Sequence, residues 1–269
     1  MLKSIARLAV ALVMALSLVA CSTKAVDVKS PADFPGARIA VQTETTASDS
    51  IAEMNDKTIQ TREFKKVTQC FDDLKLGRVD AVYVDVVVAD YYTNGNPDFK
   101  KVWTSTDAEP IGICFAKKSV DLSEAVEAAI DTLYFNGKIA ELSNKFFGRN
   151  VTEGLRNVTE APVIPDNFTL KTAGKLQVGM EIGYPPMEFT TEDGKENIGF
   201  DVELAGEIAK LLGLELELRE TAWDGIFSGL EKGDYDCIIS SVSITPPRQE
   251  AYILTKPYIA NSLCIVVKA

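Results

Sequence analysis

The sequence predicts an α/β protein with two lobes whose sheets are largely parallel. Short apolar strands alternate with amphipathic helices before residues 149–174, and the alternation starts again after them. The intervening segment is rich in Asn, Thr, Pro and Gly, which is typical of a linker. Strands that alternate with helices form βαβ units with parallel strands. A chain of 269 residues is long enough for two such lobes, each with its own core.

Hydrophobic periodicity gives the elements of each half. Phe64, Val67, Phe71 and Leu74 recur at helical spacing, and Gly77 ends that helix. The first half predicts strands at 38–42, 79–84 and 111–117, helices at 47–55, 63–76 and 86–92, and two helices within 121–147. The second half predicts strands at 175–180, 214–218, 237–240 and 263–268, helices at 201–212 and 224–232, a hairpin tip at 192–195, and a helix that starts near 246.

Composition excludes several classes of function. The formal charge is −11, and nucleic acid is therefore not an expected partner, because phosphate binding needs a basic surface. The chain contains no His, which removes the commonest general base and the commonest metal ligand. We expect no metal, no cofactor and no enzymatic activity.

The first residues have the pattern of an exported lipoprotein. Lys3 and Arg7 precede an apolar run over 8–20 that is too short to span a bilayer, so residues 1–20 are predicted to be a signal peptide. The run ends in Leu-Val-Ala-Cys, which resembles a bacterial lipobox with Cys21 as the lipid attachment site. Residues 21–34 would then be a tether outside the cytoplasm. The alternative is a cleaved signal peptide with a chance cysteine.

The four later cysteines favour buried free thiols. Cys114, Cys237 and Cys264 lie in apolar, strand-like runs, and none of the four, with Cys70, forms a C-x-x-C motif. A disulfide is the alternative, and spacing alone chooses no pairing.

Residues 174–268 resemble the first lobe of the polar-amino-acid-binding proteins of ABC importers. The matching stretches are Gly179 to Phe189, Gly199 to Ala205, Trp223-Asp224-Gly225, Asp236 to Arg248 and Lys256-Pro257-Tyr258. Residues 33–148 resemble the second lobe of the same family. Here the matching stretches are Phe34 to Gln42, Thr45-Thr46, Leu76 to Ala81, Asp85, Glu109 to Gly112 and Lys145 to Gly148. The resemblance implies the two-lobed type II periplasmic-binding-protein-like fold, with the ligand cleft between the lobes.

The two lobes stand in the reverse of the family's order, which indicates a circular permutation. The expected divisions are 35–113 for the family's second lobe, 114–148 for a crossover strand and helices that pack on the other lobe, 149–174 for the permutation linker, and 175–269 for the family's first lobe. One of the family's two lobe crossings would be cut, and the other would lie near 107–118. An incomplete tandem pair is the competing explanation.

An amino acid is a zwitterion, so its site needs a group for each charge. The segment Ser240-Ser241-Val242-Ser243 leads into a helix that begins near Pro246, and helix N-termini present free N–H groups to anions. Arg248 can hold a carboxylate through two parallel hydrogen bonds. The resemblance places the ligand carboxylate on Arg248, with Ser240, Ser241 and Ser243 beside it.

The other charge and the ligand side chain need further residues. The resemblance assigns the ligand ammonium to Asp85, at the end of strand 79–84, although an N-cap role for Asp85 is also open. Thr46 and Gln42 would contribute from the same lobe. Glu44 stands where the family has Gly, which puts the shape of that loop in question. The pocket for the ligand side chain would contain Glu181, Tyr184 and Trp223.

The resemblance implies a monomeric, lipid-anchored substrate-binding protein that delivers an amino acid to an ABC permease. An acid at 181 favours arginine, lysine, histidine, glutamine or cystine over acidic amino acids. Two alternatives remain: a ligand-sensing binding protein, and a dehydratase-like enzyme on the same scaffold.

Overall fold

The computed structural model describes residues 25–269. The predicted signal peptide and the lipid attachment residue Cys21 lie outside the described residues. Among residues 25–269 we find no helix with the length and apolarity needed to cross a membrane. The same residues contain no cluster of Cys, Asp and Glu side chains suited to a metal ion.

The small lobe is built on a five-stranded sheet that takes its strands from both ends of the described chain. Its strands are β1 (Arg38–Gln42), β2 (Gln60–Phe64), β3 (Ala81–Asp85), β4 (Phe99–Thr104) and β12 (Leu263–Lys268), in the order β2-β1-β3-β12-β4. Its helices are α1 (Thr46–Glu53), α2 (Val67–Lys75) and α3 (Val86–Thr93). β3 and β12 have the most buried residues, five each, which places them at the centre of this lobe.

The large lobe has a second five-stranded sheet. Its strands are β5 (Cys114–Phe115), β6 (Lys175–Met180), β9 (Glu215–Glu220), β10 (Cys237–Ile238) and β11 (Ile253–Leu254), in the order β11-β5-β10-β6-β9. A hairpin joins β7 (Phe189–Thr190) to β8 (Asn197–Ile198). The helices are α4 (Val120–Phe135), α5 (Lys138–Phe147), α6 (Phe200–Leu211), α7 (Trp223–Lys232) and α8 (Pro246–Ala251). The expected two-lobed α/β fold class is confirmed. The sheets are mixed and not largely parallel as predicted, because two of the four strand pairings in each are antiparallel.

The chain crosses between the lobes twice, and the two crossings lie side by side. Residues 105–113 leave β4 and enter the large lobe as β5, whereas residues 255–262 leave β11 and enter the small lobe as β12. Ile111 and Ile259 form an antiparallel bridge between these segments. The strand that has just crossed is antiparallel to its neighbours, as β12 is to β3 and β5 is to β10.

The prediction that one crossing is cut is therefore wrong, and so is the assignment of all of 175–269 to one lobe. From the sequence, strand 263–268 is expected to lie in the same lobe as the residues that precede it. In the structure its apolar residues fill the gap between β3 and β4 instead, where Cys264 lies opposite Val84 and Thr104. Burial on both faces makes this strand part of the small-lobe core.

The periodicity missed two strands that carry few buried residues. All five residues of β2 are exposed or half-buried, and β4 has Phe99 as its buried residue. The predicted helix 63–76 begins at Val67, because Gln60–Phe64 pair in parallel with β1 as an edge strand. Edge strands with polar faces give no apolar alternation to detect.

The predicted linker 149–174 packs closely on the large lobe at its start. Val151 is buried, and its carbonyl accepts a hydrogen bond from the backbone N–H of Ala260. The buried guanidinium of Arg156 pairs with Glu127 at 2.9 Å and with Asp131 at 2.7 Å. This part of the segment is an ordered piece of the lobe surface.

The prediction of buried free thiols is confirmed. Cys70, Cys114, Cys237 and Cys264 are all buried and unbonded to one another. Burial raises the pKa of the Cys114 thiol to about 12, so this thiol stays protonated and behaves as a small apolar side chain.

Gly199 is required at the start of α6. Its φ is +135°, and a Cβ there would lie 2.1 Å from the carbonyl oxygen of Met187. That carbonyl also accepts a hydrogen bond from the N–H of Asp201. Gly199→Ala is expected to lower the free energy of unfolding by about 2 kcal/mol or more, because backbone strain and a steric clash combine.

Denaturant unfolding measures this effect, and Gly206→Ala on the same helix is the matched control. A Cβ at Gly206 meets nothing within 4 Å, so this change should be neutral or mildly stabilising. Equal stability of the two variants would contradict the geometry at 199.

Candidate functional site

Polar side chains from both lobes converge in the cleft between them. The cleft encloses about 330 Å³, part of it open to solvent. Its walls come from the carboxyl ends of β1 and β3 in one lobe and of β6 and β10 in the other, where ligands bind in open α/β sheets. The lining residues are Gln42, Thr45, Thr46, Asp85, Glu181, Tyr184, Glu188, Trp223, Ser240, Ser241, Ser243 and Arg248.

Arg248 brings a cation into the large-lobe wall. Its guanidinium lies 5.6 Å from the Trp223 ring centre and 5.2 Å from that of Phe227, and its Nη1 donates to the carbonyl of Ser243 at 3.1 Å. Burial lowers the pKa of Arg248. Within residues 25–269 it has no carboxylate within ion-pair distance. The aromatic faces and one carbonyl hold this cation while most of its N–H donors remain available.

The segment that leads to α8 is held in an uncommon backbone conformation. Ser241 has φ of 51°, the left-handed region that non-glycine residues rarely adopt. Its hydroxyl oxygen is buried without a hydrogen-bond partner in the described part of the chain. Ser243 bridges to Ile111 of the crossing segment. Ser241 thus presents an unpaired buried hydroxyl in the same cleft wall as the Arg248 cation.

Asp85 supplies the opposite charge from the small lobe. Its Oδ2 accepts from the Tyr184 hydroxyl at 2.6 Å, and its Oδ1 accepts from Nδ2 of Asn261 at 2.5 Å. Burial raises the pKa of Asp85, and these two hydrogen bonds act in the opposite direction. Asp85 begins α3, yet its side chain caps no helix N–H. The capping alternative therefore does not account for this carboxylate.

Asn261 is a site residue that the sequence analysis did not identify. It lies in the second crossing segment, is buried, and leaves its own Oδ1 without a partner among the described residues. No motif marks it, since its role depends on the crossing lying beside β3.

Glu181 and Gln42 meet across the cleft. Nε2 of Gln42 donates to Oε2 of Glu181 at 2.8 Å and to the carbonyl of Lys65 at 3.0 Å. Burial raises the pKa of Glu181 to about 7, while Gln42 and the charge of Lys66 partly offset that rise. Glu181 therefore changes its charge near neutral pH.

Replacement of Glu181 should alter how stability depends on pH. A carboxyl whose pKa is raised from 4.5 to about 7 by folding costs stability progressively as pH rises through that interval. The loss amounts to about 3 kcal/mol at most above pH 8. Glu181→Gln should match the wild-type protein near pH 5 and melt at a higher temperature at pH 8.

Thermal unfolding without ligand from pH 5 to 8 measures this difference. Glu220→Gln, at an exposed position of β9, is the matched control and should follow the wild-type curve. Parallel curves for the wild-type protein and Glu181→Gln would contradict the burial effect.

The loop from Gln42 to Thr46 places Glu44 in the left-handed region of backbone conformation. Glu44 adopts φ of 57°, as a glycine would, and its side chain is exposed. Its carbonyl accepts a hydrogen bond from Nε1 of Trp223 at 3.0 Å. Thr46 Oγ1 donates to Glu109 at 2.6 Å, so Glu109 on the first crossing is a further residue that the site prediction missed.

The structure brings all ten predicted ligand-binding residues to this one cleft. Their contacts with a ligand stay predictions. Thr45 and Glu188 also line the cleft and were not predicted to do so. The sequence did contain a signal for Glu188, because this residue lies in the family-like stretch from Gly179 to Phe189.

Part of the chain is similar to known proteins. Residues 176–269 match the profile of the "Bacterial extracellular solute-binding proteins, family 3". This segment contains Glu181, Tyr184, Trp223, the Ser240–Ser243 turn and Arg248, so the large-lobe wall of the cleft lies within the match.

Curated relatives are similar to this chain over a segment of comparable length. The L-cystine-binding protein TcyJ of Escherichia coli is 39% identical over 99 residues, which are 37% of this chain and 37% of that protein. A probable amino-acid ABC transporter-binding protein of Haemophilus influenzae is 38% identical over 94 residues, 35% of this chain and 36% of that protein. The chain thus spans little more than a third of the length of these relatives.

The L-cystine solute receptor of Neisseria gonorrhoeae, in its unliganded open conformation, is 37% identical over 29% of this chain and 33% of that chain, with a TM-score of 0.28.

Proposed function

We propose that the protein binds a free polar or basic L-amino acid in the cleft and delivers it to the permease of an ABC importer. One observation carries the proposal. The guanidinium of Arg248 and the carboxylate of Asp85 face one cleft from opposite lobes, and neither has an ionic partner in residues 25–269. A zwitterion supplies the carboxylate for the first and the ammonium for the second.

Closure of the lobes follows from the same arrangement. The ligand would touch both walls when the lobes are together and one wall when they are apart. A ligand shifts such an equilibrium only by its difference in affinity for the two states. We propose that the permease recognises the closed form, which reports that the cleft is filled.

The pocket beyond the two charges supports a polar or basic side chain. Glu181 and Gln42 present a carboxylate and an amide there, and Trp223 presents a flat apolar face. Arginine, lysine, histidine, glutamine and cystine each carry N–H groups that can donate a hydrogen bond to a carboxylate. An acidic side chain would meet Glu181 as a like charge.

Calorimetry with a panel of amino acids tests the proposal. We expect heat of binding from at least one of L-arginine, L-lysine, L-histidine, L-glutamine and L-cystine, and none from L-glutamate. Agmatine, which is arginine without its carboxylate, is the matched ligand control and should not bind. Absence of binding across the full set of amino acids would overturn the proposed function.

The matched relatives are binding proteins, and we propose binding without turnover here as well. L-arginine or L-cystine that is recovered chemically unchanged after long incubation with the protein would agree with this.

We also propose a monomer outside the cytoplasm that is anchored through lipid on Cys21. The Cys21→Ala protein should lose incorporation of labelled fatty acid and move from the membrane fraction to the soluble fraction. Equal membrane association of both proteins would contradict the anchor.

The permuted order of the lobes is a proposal with geometric support. β1 and β12 both pair with β3, where Ile39 lies opposite Ala81 and Val266 lies opposite Val82. The start of one strand and the end of the other are therefore about 10 Å apart. A rearranged chain, 175–268 followed by 34–148, should fold to the same cleft and bind the same amino acid.

A further inference from the structure

Two buried carboxyl groups, Glu188 and Asp201, lie together beside the turn at Ser240 and Ser241. Glu188 precedes β7 and Asp201 lies in the first turn of α6, and they are 1% and 0% exposed. Neither forms an ion pair in residues 25–269. Two adjacent buried carboxylates cannot both be charged without a large cost, so at least one proton must be shared between them.

The hydrogen bonds show which carboxyl holds the proton. Both oxygens of Asp201 accept: Oδ1 and Oδ2 from the Tyr258 hydroxyl at 2.8 and 3.0 Å, and Oδ2 from the N–H of Ser241 at 2.8 Å. Oε1 of Glu188 accepts from the Ser240 hydroxyl at 2.8 Å. Oε2 of Glu188 has no donor within the described chain. Asp201 is therefore surrounded by donors as an anion requires, and Oε2 is the oxygen left to carry a proton.

The pair is connected directly to the anion-binding turn. Ser240 also accepts a hydrogen bond from the N–H of Glu181 at 3.0 Å, so its hydroxyl has a fixed orientation. The backbone of Ser241 is in the left-handed region, and its N–H donates a hydrogen bond to Asp201. These two acceptors therefore help to hold Ser241 in its strained conformation.

We propose that Glu188 is a positioning residue, a neutral carboxylic acid that donates its proton to Asp201 and through this pair holds Ser240 and Ser241 in place for the ligand carboxylate. The link to ligand rests on the proposed function, whereas the shared proton does not. The groups that face Glu188 are Asp201 from α6, Glu181 from the end of β6, and the hydroxyls of Tyr184 and Tyr258. None is a cation; the charges of Asp201 and Glu181 favour the neutral form of Glu188, whereas the hydrogen bond from Ser240 acts in the opposite direction.

The direction of the pH effect follows from burial and like charge. Both raise the pKa of Glu188 well above its ordinary value, and the pKa of Asp201 rises to about 6. Folding then retains a proton that the unfolded chain releases near pH 4.5. Stability is lost as pH rises from that value toward the folded-state pKa of Glu188.

Infrared spectroscopy and thermal unfolding of the protein without ligand test the shared proton. At pH 8.5, where Glu181 is largely ionised, the wild-type spectrum should show the carbonyl stretch of a protonated carboxylic acid, and Glu188→Gln should lack it. The melting temperature of the wild-type protein should fall more steeply between pH 5 and 9 than that of Glu188→Gln. Glu192→Gln, at an exposed position in the same lobe, is the matched control and should behave as the wild-type protein does.

Binding of L-arginine and L-cystine at pH 7 tests the positioning role. Glu188→Ala should weaken the affinity for whichever of them binds by about tenfold. Glu188→Gln should recover most of that loss, because its amide nitrogen donates to Asp201 and its oxygen accepts from Ser240. If Glu188→Ala does not fold, the comparison of Glu188→Gln with the wild-type protein still decides the shared proton.

The outcomes separate the two proposals. An acid band at pH 8.5 in the wild-type protein alone supports the shared proton even if no amino acid binds. Identical spectra and parallel melting curves for the wild-type protein and Glu188→Gln would overturn it, whatever the protein binds.

Discussion

Arg248→Ala is expected to weaken amino-acid binding by at least about a hundredfold, close to 3 kcal/mol. The guanidinium lies against Trp223 and Phe227 with no carboxylate of its own in the described chain. A ligand carboxylate bound there would form charge-assisted hydrogen bonds in a partly buried site. Removal of the guanidinium would leave the ligand carboxylate desolvated and unpaired.

Calorimetry with the tightest-binding amino acid of the panel measures the loss. Arg248→Lys should recover only part of the affinity, because an ammonium cannot reproduce the paired N–H donors of a guanidinium. Arg219→Ala, which removes a half-exposed arginine of β9, should bind as the wild-type protein does. Unchanged affinity of Arg248→Ala would remove this residue from the site.

Asp85→Asn is expected to weaken binding by about a hundredfold while the protein melts at the same or a higher temperature. The ligand ammonium would lose its buried counter-charge. Folding, by contrast, would no longer bury a carboxylate whose pKa is raised by desolvation. The amide can accept from Tyr184 and donate to Oδ1 of Asn261, which has no partner at present.

Calorimetry and thermal unfolding at pH 7 measure these opposite effects. Asp98→Asn is the matched control in the same lobe. Its carboxylate pairs with Lys75 at 2.8 Å, and that pair holds the pKa of Asp98 below its ordinary value. The control should keep full affinity and gain no stability. A large fall in the melting temperature of Asp85→Asn would mean that the carboxylate serves the fold.

The sequence predicted the side chains of the cleft better than the path of the chain between the lobes. Arg248, Asp85 and Glu181 were found because each ends a strand or begins a helix within a recognisable stretch. The apolar run 263–268 looks the same in either sheet, so periodicity gave no sign that it joins β3 and β4.

The residues that the prediction missed depend on contacts between distant segments. Asn261 and Glu109 reach the site because the two crossings run side by side. Asp201 lies in the first turn of α6, and its carboxylate accepts from Ser241 and Tyr258. A sequence separation of 40 residues or more carries no local signal for such a contact.

The polar character of the contact between the lobes has a mechanical consequence. Gln42 with Glu181, Lys66 with the carbonyl of Ile182, and Trp223 with the carbonyl of Glu44 are bonds that water can replace on separation. The hydrogen bond from Tyr184 to Asp85 and the ion pairs Lys65–Asp224 and Arg149–Asp90 also join the lobes. Each neutral hydrogen bond of this kind contributes about 1 kcal/mol net, so no single one locks the lobes together. An equilibrium between open and closed lobes that lies within a few kcal/mol of even can be reversed by one bound ligand.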